Sequence, residues 1–360
     1  LIKATTKDEV HTKEKCRIFY VNNIALTWMI RKYYLPIIRF LQMHPTLSEC
    51  AVGVNAESKE WEQLDKFMRK YDRLIGGDYS KYDQKIPTQL ILTAFRILVD
   101  LASLCNYTDE DLLTMQTMIA DVVYAYIMFN GDLIALTAGT HISGNSLTVI
   151  INGIVGALNL RNAFYHYNPK IKDYRKYCAI MTYGDDNAGS VSKKVKFGIK
   201  SVSEFLAIYG QTYTMPDKES KLVEELPEDK WEFLKRKTVF IPEINCRVGA
   251  LSEASMIKDL YMHIPSKNNE LCPMDQMAVN IDGVVRNAFF HGRKRYDYWK
   301  GKMLDLAIEA GLENKCRLIH QPFETRVHEW KLRYVPEYQA AHGIDAEEQL
   351  LFSAIGVSVR

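Results

Sequence analysis

The sequence has no C-x-x-C pair and no cysteine cluster. Its seven cysteines (Cys16, Cys50, Cys105, Cys178, Cys246, Cys272 and Cys316) are scattered and odd in number. That argues against a disulfide framework or a zinc site and favours a reducing compartment. The chain also lacks an apolar run long enough to span a bilayer: the longest, at residues 147–160, is short and interrupted by Asn152. No signal-peptide pattern, internal repeat or low-complexity stretch is visible. An excess of one charge is missing too. A net charge of +2 with 25% charged residues gives no sign of disorder. It neither demands nor excludes a nucleic-acid partner, because a local basic channel can hide in a near-neutral total. What is abundant is apolar: 47% of the 360 residues, enough for a large core and two or three subdomains. The chain opens on Leu1-Ile2-Lys3 without an initiator Met, and so reads as a fragment.

The stretch with most chemistry runs from Tyr177 to Val191. Two short apolar runs flank Gly184-Asp185-Asp186, the pattern of two strands joined by a tight turn. Two adjacent carboxylates at a hairpin tip repel unless a cation joins them. Hard oxygen ligands suit magnesium or manganese. A solvated turn would use the same residue types.

Upstream, Lys13, Lys15 and Arg17 alternate ahead of the strand-like Ile18-Phe19-Tyr20-Val21, so their cations share one face of an extended segment. Such a row suits phosphate groups, or equally a solvated edge strand. Residues 22–47 look helical, with Pro36 expected to break or kink them. Residues 50–55 read as a strand ending in a turn, and Ser58 as the cap of a helix through Trp61, Leu64, Phe67 and Met68. A strand into Gly76-Gly77 places Asp78 at its end and Asp83 in the loop before a helix begun by Pro87, where Asp83 could simply cap. Asn130-Gly131 between β-rich runs within residues 122–138 signals a hairpin. A Gly/Ser loop at residues 139–146 leads to a helix on which Thr148 and Asn152 share a face. Lys193, Lys194, Lys196 and Lys200 form a basic face. A helix at residues 201–209 stops at Gly210 and a short strand, Thr212-Tyr213-Thr214, precedes Asp217-Lys218. Residues 231–240 read as a hairpin edge with a basic tip. Beyond Pro242 helices dominate, at about residues 274–290, 296–310, 323–334 and 346–355.

In this order the segments resemble the RNA-dependent RNA polymerases of positive-strand picorna-like viruses. Asp78-x4-Asp83 looks like motif A, Ser143-Gly144-x3-Thr148-x3-Asn152 like motif B, and Tyr183-Gly184-Asp185-Asp186 like motif C. Asp217-Lys218 after Tyr209-Gly210 is similar to motif D, Phe233-Leu234-Lys235-Arg236 to motif E, and Lys7-Asp8-Glu9 with Lys15-x-Arg17 to motif F. Gly53-x-Asn55 with Trp61, and Gly249-Ala250-Leu251 with His291-Gly292-Arg293, point to the branch that includes the marnavirus-type polymerases. His11 stands where related enzymes often have Arg, and the family's region ahead of motif F is absent.

The resemblance implies an α+β right-hand polymerase fold with an antiparallel, RRM-like palm sheet, partial fingers and a helical thumb. It divides the chain into partial fingers at 1–34, palm at 35–124, a fingers insertion at 125–142, palm again at 143–240, and thumb at 241–360. It implies template-directed RNA synthesis with two Mg2+ (or Mn2+) ions held by Asp78 and Asp185, with Asp186 auxiliary. Lys218 becomes a candidate general acid toward the leaving pyrophosphate. Asp83, Ser143, Thr148 and Asn152 would read the ribose, a 2′-hydroxyl being both donor and acceptor. Lys7, Lys15 and Arg17 would hold the triphosphate, and Lys235 and Arg236 the primer strand. The implied partners are an RNA template and primer, NTPs, a protein primer and other viral replication proteins. The implied location is the host cytoplasm, at membrane-associated replication complexes. A reverse transcriptase and a degenerate RNA-binding scaffold are the rival readings. Asn152 with Asp83 argues against the first, and the full set of carboxylates against the second.

Overall fold

The computed structural model describes residues 1–6, 17–136, 139–261 and 272–343. The chain divides into two compact units, residues 1–54 with 64–234, and residues 55–63 with 235–360.

In the first unit β1 (Ile2–Thr6) pairs antiparallel with β2 (Ile18–Val21). Helix α1 (Ile24–Met43) begins where the Asn23 side chain accepts a hydrogen bond from the Ala25 amide at 2.8 Å. Pro36 does not break it. A proline removes one backbone donor, but Ile30, Tyr34, Ile37 and Ile38 bury one continuous face, and packing of such a face is what holds most helices. A single turn, α2 (Pro45–Ser48), follows. The strand expected at residues 50–55 shrinks to one bridge, Cys50 to Thr182, because the chain already turns at Gly53 (φ 94°).

Helix α3 (Lys59–Met68) starts as expected, with the Ser58 hydroxyl accepting from the Glu60 amide at 3.2 Å. Strand β3 (Arg73–Ser80) passes through Gly76-Gly77 instead of stopping there. Asp83 lies inside the short helical turn α4 (Tyr82–Lys85), not in a loop, and α5 (Thr88–Ser103) follows Pro87. Helix α6 (Asp109–Val123), capped by a Thr108–Asp111 box, takes in Val122 and Val123, whose β-branching favours a strand. The hairpin is therefore shorter, β4 (Tyr126–Phe129) and β5 (Asp132–Ala135), and it reverses at Asn130 (φ 52°) and Gly131 (φ 92°). Strand β4 also runs parallel to β1, giving the sheet order β2-β1-β4-β5 over a small core of Ile2, Ala125, Ile127 and Ile142.

The sheet that carries the site forms from β3 with later elements. These are α7 (Thr148–Tyr167), β6 (Cys178–Tyr183), β7 (Asp186–Val191), α8 (Ile199–Ile208) and β8 (Thr212–Thr214). Its order is β6-β7-β3-β8, antiparallel throughout. Residues 178–181 of β6 are buried without alternation, because both faces are covered. Helix α7 packs against β6, where Gly153 leaves room for Thr182: a Cβ there would lie 3.0 Å from the Thr182 hydroxyl. Gly210 (φ 71°) ends α8 as expected.

The second unit opens on an antiparallel hairpin, β9 (Arg236–Ile241) with β10 (Cys246–Leu251). The hairpin expected at residues 231–240 is thus displaced. Residues 231–235 lead into β9, and the reversal falls at residues 242–245, where Asn245 adopts φ 47°. Leu234 and Lys235, both at φ 55°, form a tight turn ahead of β9, so Lys235 does stand in a turn and Arg236 opens the strand after it. Trp61, in residues 55–63, lies against Gly249, where a Cβ would come within 2.7 Å of the indole; its Nε1 donates to Thr238 Oγ1 at 3.0 Å. Helices α9 (Glu253–Ile257), α10 (Pro273–Ala288), α11 (Arg293–Glu309), α12 (Phe323–Tyr334) and α13 (Pro336–Ala341) follow. Their core gathers Val248, Ile281, Val285, Phe289, Tyr296 and Phe323. The helix expected near residues 346–355 lies outside the described residues. Among the described residues no helix is long and apolar enough to cross a membrane.

Candidate active site

Strand pairing brings the acidic segments together. The β3–β7 register runs from Arg73 opposite Val191 to Gly77 opposite Asn187. Asp78 follows Gly77, and Asp185 and Asp186 precede Asn187, so all three carboxylates fall at one end of the sheet. The β6–β7 turn is tight: Tyr183 pairs with Asp186, and Gly184 takes the left-handed φ of 62°. On the other side of β3, Thr214 of β8 sits opposite Asp78.

Just beyond β8 the chain turns sharply. The Lys218 amide donates to the Met215 carbonyl at 2.9 Å, and Lys218 itself adopts φ 63°. A non-glycine residue held there is strained, as residues at functional positions often are. The turn sends the Lys218 ammonium to 2.8 Å from Asp78 Oδ2, an ion pair made off hydrogen-bond alignment. Neighbouring Asp217 is occupied otherwise. It accepts from the Ser220 hydroxyl and amide and from the Glu219 amide, bonds that lower its pKa, the Ser220 hydroxyl most. A pairing of Lys218 with Asp217, the ordinary alternative for such a lysine, is not the one formed.

Asp185 is exposed as a residue, but protein atoms crowd its carboxylate. Lost hydration is the main reason its pKa rises above the ordinary 3.8, and the charge of Asp78 adds to the rise. Lys218 and Arg17 pull the other way, which places Arg17 within electrostatic reach of the turn. Among the described residues no three acidic, histidine or cysteine side chains come together to hold a metal by themselves. Two carboxylates suffice for magnesium, which keeps several waters and completes its shell with substrate phosphates. The donor chemistry fits a divalent ion: Asp185 is penalised as an anion here, and a dication would remove that penalty.

A second constellation lies on α4 and α7. Asn152 Nδ2 donates to Asp83 Oδ1 at 2.7 Å, while Asn152 Oδ1 has no hydrogen-bond partner. The buried Tyr82 hydroxyl donates to the Asn152 carbonyl at 2.8 Å, and the His141 amide to the Asp83 carbonyl at 2.8 Å. Thr148 is turned to the loop, its hydroxyl donating to the Ile142 carbonyl at 3.0 Å. Ser143 is half-buried in that loop. Gly144 (φ 102°) passes so close to β2 that a Cβ would stand 2.1 Å from the Tyr20 carbonyl oxygen.

Of the remaining predicted residues, Lys7 and Lys15 lie outside the described residues. Lys235 and Arg236 belong to the second unit. There Lys235 is exposed at φ 55°, and Arg236 is half-buried and donates to the Gly249 carbonyl at 2.6 Å. Burial lowers the Arg236 pKa. Sequence reasoning missed Tyr82 as the support of Asn152. No periodicity links residues 82 and 152, since the contact exists only after α4 and α7 pack.

The family model described as viral RNA-dependent RNA polymerase matches residues 2–303. The replicase polyprotein of Drosophila C virus (strain EB) is 25% identical over 320 residues, which is 85% of this chain and 18% of the polyprotein. That of cricket paralysis virus is 25% identical over 336 residues, 88% of this chain and 19% of the polyprotein. The RNA1 polyprotein of Satsuma dwarf virus is 25% identical over 321 residues, 86% and 15% respectively. The chain therefore spans less than a fifth of these relatives' length. Among solved structures, the Sicinivirus 3Dpol RNA-dependent RNA polymerase is similar with a TM-score of 0.76 over 92% of this chain and 67% of that one. At 17% identity that likeness is one of fold.

Proposed function

This chain belongs to the viral RNA-dependent RNA polymerase family, with the α+β polymerase fold, and we propose that it extends an RNA 3′ end by template-directed transfer of nucleotides from NTPs. The observation that carries the reading is the convergence of Asp78, Asp185 and Lys218 at one end of the β6-β7-β3-β8 sheet.

In the reaction the primer 3′-hydroxyl gives up its proton to water as its oxygen bonds to the α-phosphorus, the bond from that phosphorus to the bridging oxygen breaks, and pyrophosphate leaves. Asp78 and Asp185 would hold the divalent ions, with Asp186 beside them. When bound, two such ions neutralise charge on the attacking and leaving oxygens. The chain's own work is positioning and charge. Lys218, fixed by its turn, gives a proton to the departing pyrophosphate oxygen. Arg17, with Lys7 and Lys15, draws the triphosphate toward the turn. Asp83 and Asn152 present a carboxylate and an amide to the ribose 2′-hydroxyl, with Ser143 and Thr148 shaping the loop beside them. A site built around that hydroxyl rejects the deoxy analogue strongly, which favours this reading over a reverse transcriptase. Lys235 and Arg236 would steady the primer strand.

The domain reading is that residues 1–34 and 125–142 serve as fingers, 35–124 and 143–240 as palm, and 241–360 as thumb. The working context is viral genome replication in the host cytoplasm, at membrane-associated complexes with a protein primer and other replication proteins. The test is incorporation on a short RNA primer–template with magnesium and one NTP at a time. Addition of only the templated ribonucleotide is the expected result. Untemplated addition, or none, contradicts the proposal.

A further inference from the structure

Two buried side chains tie the acidic segments to each other from behind. Tyr213 of β8 is 2% exposed, and its hydroxyl donates to Asn187 Oδ1 at 2.7 Å. Asn187, itself buried in β7, turns Nδ2 toward the Gly77 carbonyl at 3.4 Å and the Asp185 carbonyl at 3.5 Å. Both bonds are long and individually weak. Their positions matter more: Gly77 is the residue before Asp78, and Asp185 is the other carboxylate of the site. The Tyr213 ring lies over Gly77 so closely that a Cβ there would stand 2.3 Å from its Cζ. The strand register supports the same alignment, with Gly77 opposite Asn187 and Tyr79 opposite Tyr213.

The direction of the chain of bonds is set by Tyr213. Burial raises its pKa well above the ordinary tyrosine value, so the hydroxyl keeps its proton and donates. The amide oxygen of Asn187 must then face Tyr213, which leaves the NH2 group for the two carbonyls. A hydroxyl, an amide and two backbone carbonyls thus cross β8, β7 and β3 directly behind the carboxylates.

We propose that Tyr213 and Asn187 are positioning residues that set the separation of Asp78 and Asp185, and through it the affinity for a divalent ion. This rests on the reading that those two carboxylates take such an ion. Ligand sets must be held within about 0.5 Å of their productive geometry, and partners behind the ligands are worth roughly tenfold or more in affinity. Tyr213→Phe keeps the ring over Gly77 and removes only the donor. Asn187 Oδ1 then has no partner, and its amide is free to turn.

The test is a Mn2+ titration of the protein without NTP or RNA, followed by the electron paramagnetic resonance of free Mn2+, with melting temperatures recorded in parallel. Tyr34→Phe is the control. Its hydroxyl is as deeply buried, lies on α1 and donates to the Met115 carbonyl at 2.8 Å. Tyr213→Phe is expected to weaken Mn2+ binding on the order of tenfold. Tyr34→Phe is expected to lower the melting temperature and leave Mn2+ affinity unchanged. Should Tyr213→Phe not fold, Asn187→Ser is read instead, because the shorter side chain no longer reaches the two carbonyls. Wild-type Mn2+ affinity in the folded variant overturns the brace while the metal reading stands. Absence of Mn2+ binding by the wild type, matching Asp185→Ala, overturns the metal reading and the brace with it.

Discussion

The Lys218 ammonium stands 2.8 Å from Asp78 Oδ2, although the two residues are 140 positions apart and belong to different strands and turns. The pairing has a consequence for catalysis. Under the proposed reading, a lysine on one carboxylate of the pair stands beside the place where the leaving oxygen develops charge.

Replacing Lys218 should therefore slow the chemical step rather than weaken substrate binding. Lys218→Ala and Lys218→Arg are expected to lower the single-turnover rate by about 10²–10⁴, with little change in apparent NTP affinity. Arg retains a cation but is a poor proton donor. A defect confined to NTP affinity would make Lys218 a phosphate clamp.

Removal of the Asp83 or Asn152 side chain should relax sugar selection. The ratio of kcat/KM for a ribonucleotide to that for its deoxy analogue is expected to fall at least roughly tenfold in Asp83→Ala and Asn152→Ala. The 2.7 Å bond between the two predicts that the double variant falls little further than either single one. Unchanged ratios would remove both from ribose recognition.

Stability should depend on pH through Asp185. Its folded pKa is raised above the ordinary 3.8, so the folded state binds the proton more tightly than the unfolded state does. Between those two values the native state carries more protons, and stability falls as pH rises; above the raised value the loss is complete. Asp185→Asn lacks this term. Without metal, the variant is expected to gain melting temperature over the wild type as pH rises from 4 toward 7, by an amount that Mg2+ reduces by stabilising the wild type alone. A constant difference across that pH range would contradict the crowding assigned to this carboxylate.

Gly144→Ala should be severe. The residue combines φ 102° with a Cβ position 2.1 Å from the Tyr20 carbonyl oxygen, and backbone cannot move aside as a flexible side chain can. A loss of roughly 2–4 kcal/mol in denaturant unfolding is expected. A loss below about 1 kcal/mol would mean the loop and β2 are not in this contact.

Local chemistry was legible in the sequence where it depends on neighbours in the chain. The Gly184-Asp185-Asp186 turn, the Asn130-Gly131 reversal and the Gly210 stop all follow from φ preferences. The joining of Asp78, Asp83, Asn152, Asp185 and Lys218 into two constellations was legible only through the order of motifs. Other features depended on tertiary packing, which no local pattern encodes. The β9–β10 hairpin was displaced because its turn at residues 242–245 contains Pro242, which reads as a boundary. Val122 and Val123 were drawn into α6 by burial against their β preference, and α1 carries Pro36 for the same reason. The Tyr213–Asn187 bond crosses strands, and no spacing announces it.

Asp78 and Asp185 are the proposed centre of nucleotide transfer. Its most direct test is single-nucleotide extension of an RNA primer by wild type and Asp185→Ala under single-turnover conditions in Mg2+, with the fold of each checked by circular dichroism. Templated extension by the wild type, and its loss in a variant that remains folded, is the expected result. Extension by folded Asp185→Ala at the wild-type rate would contradict it.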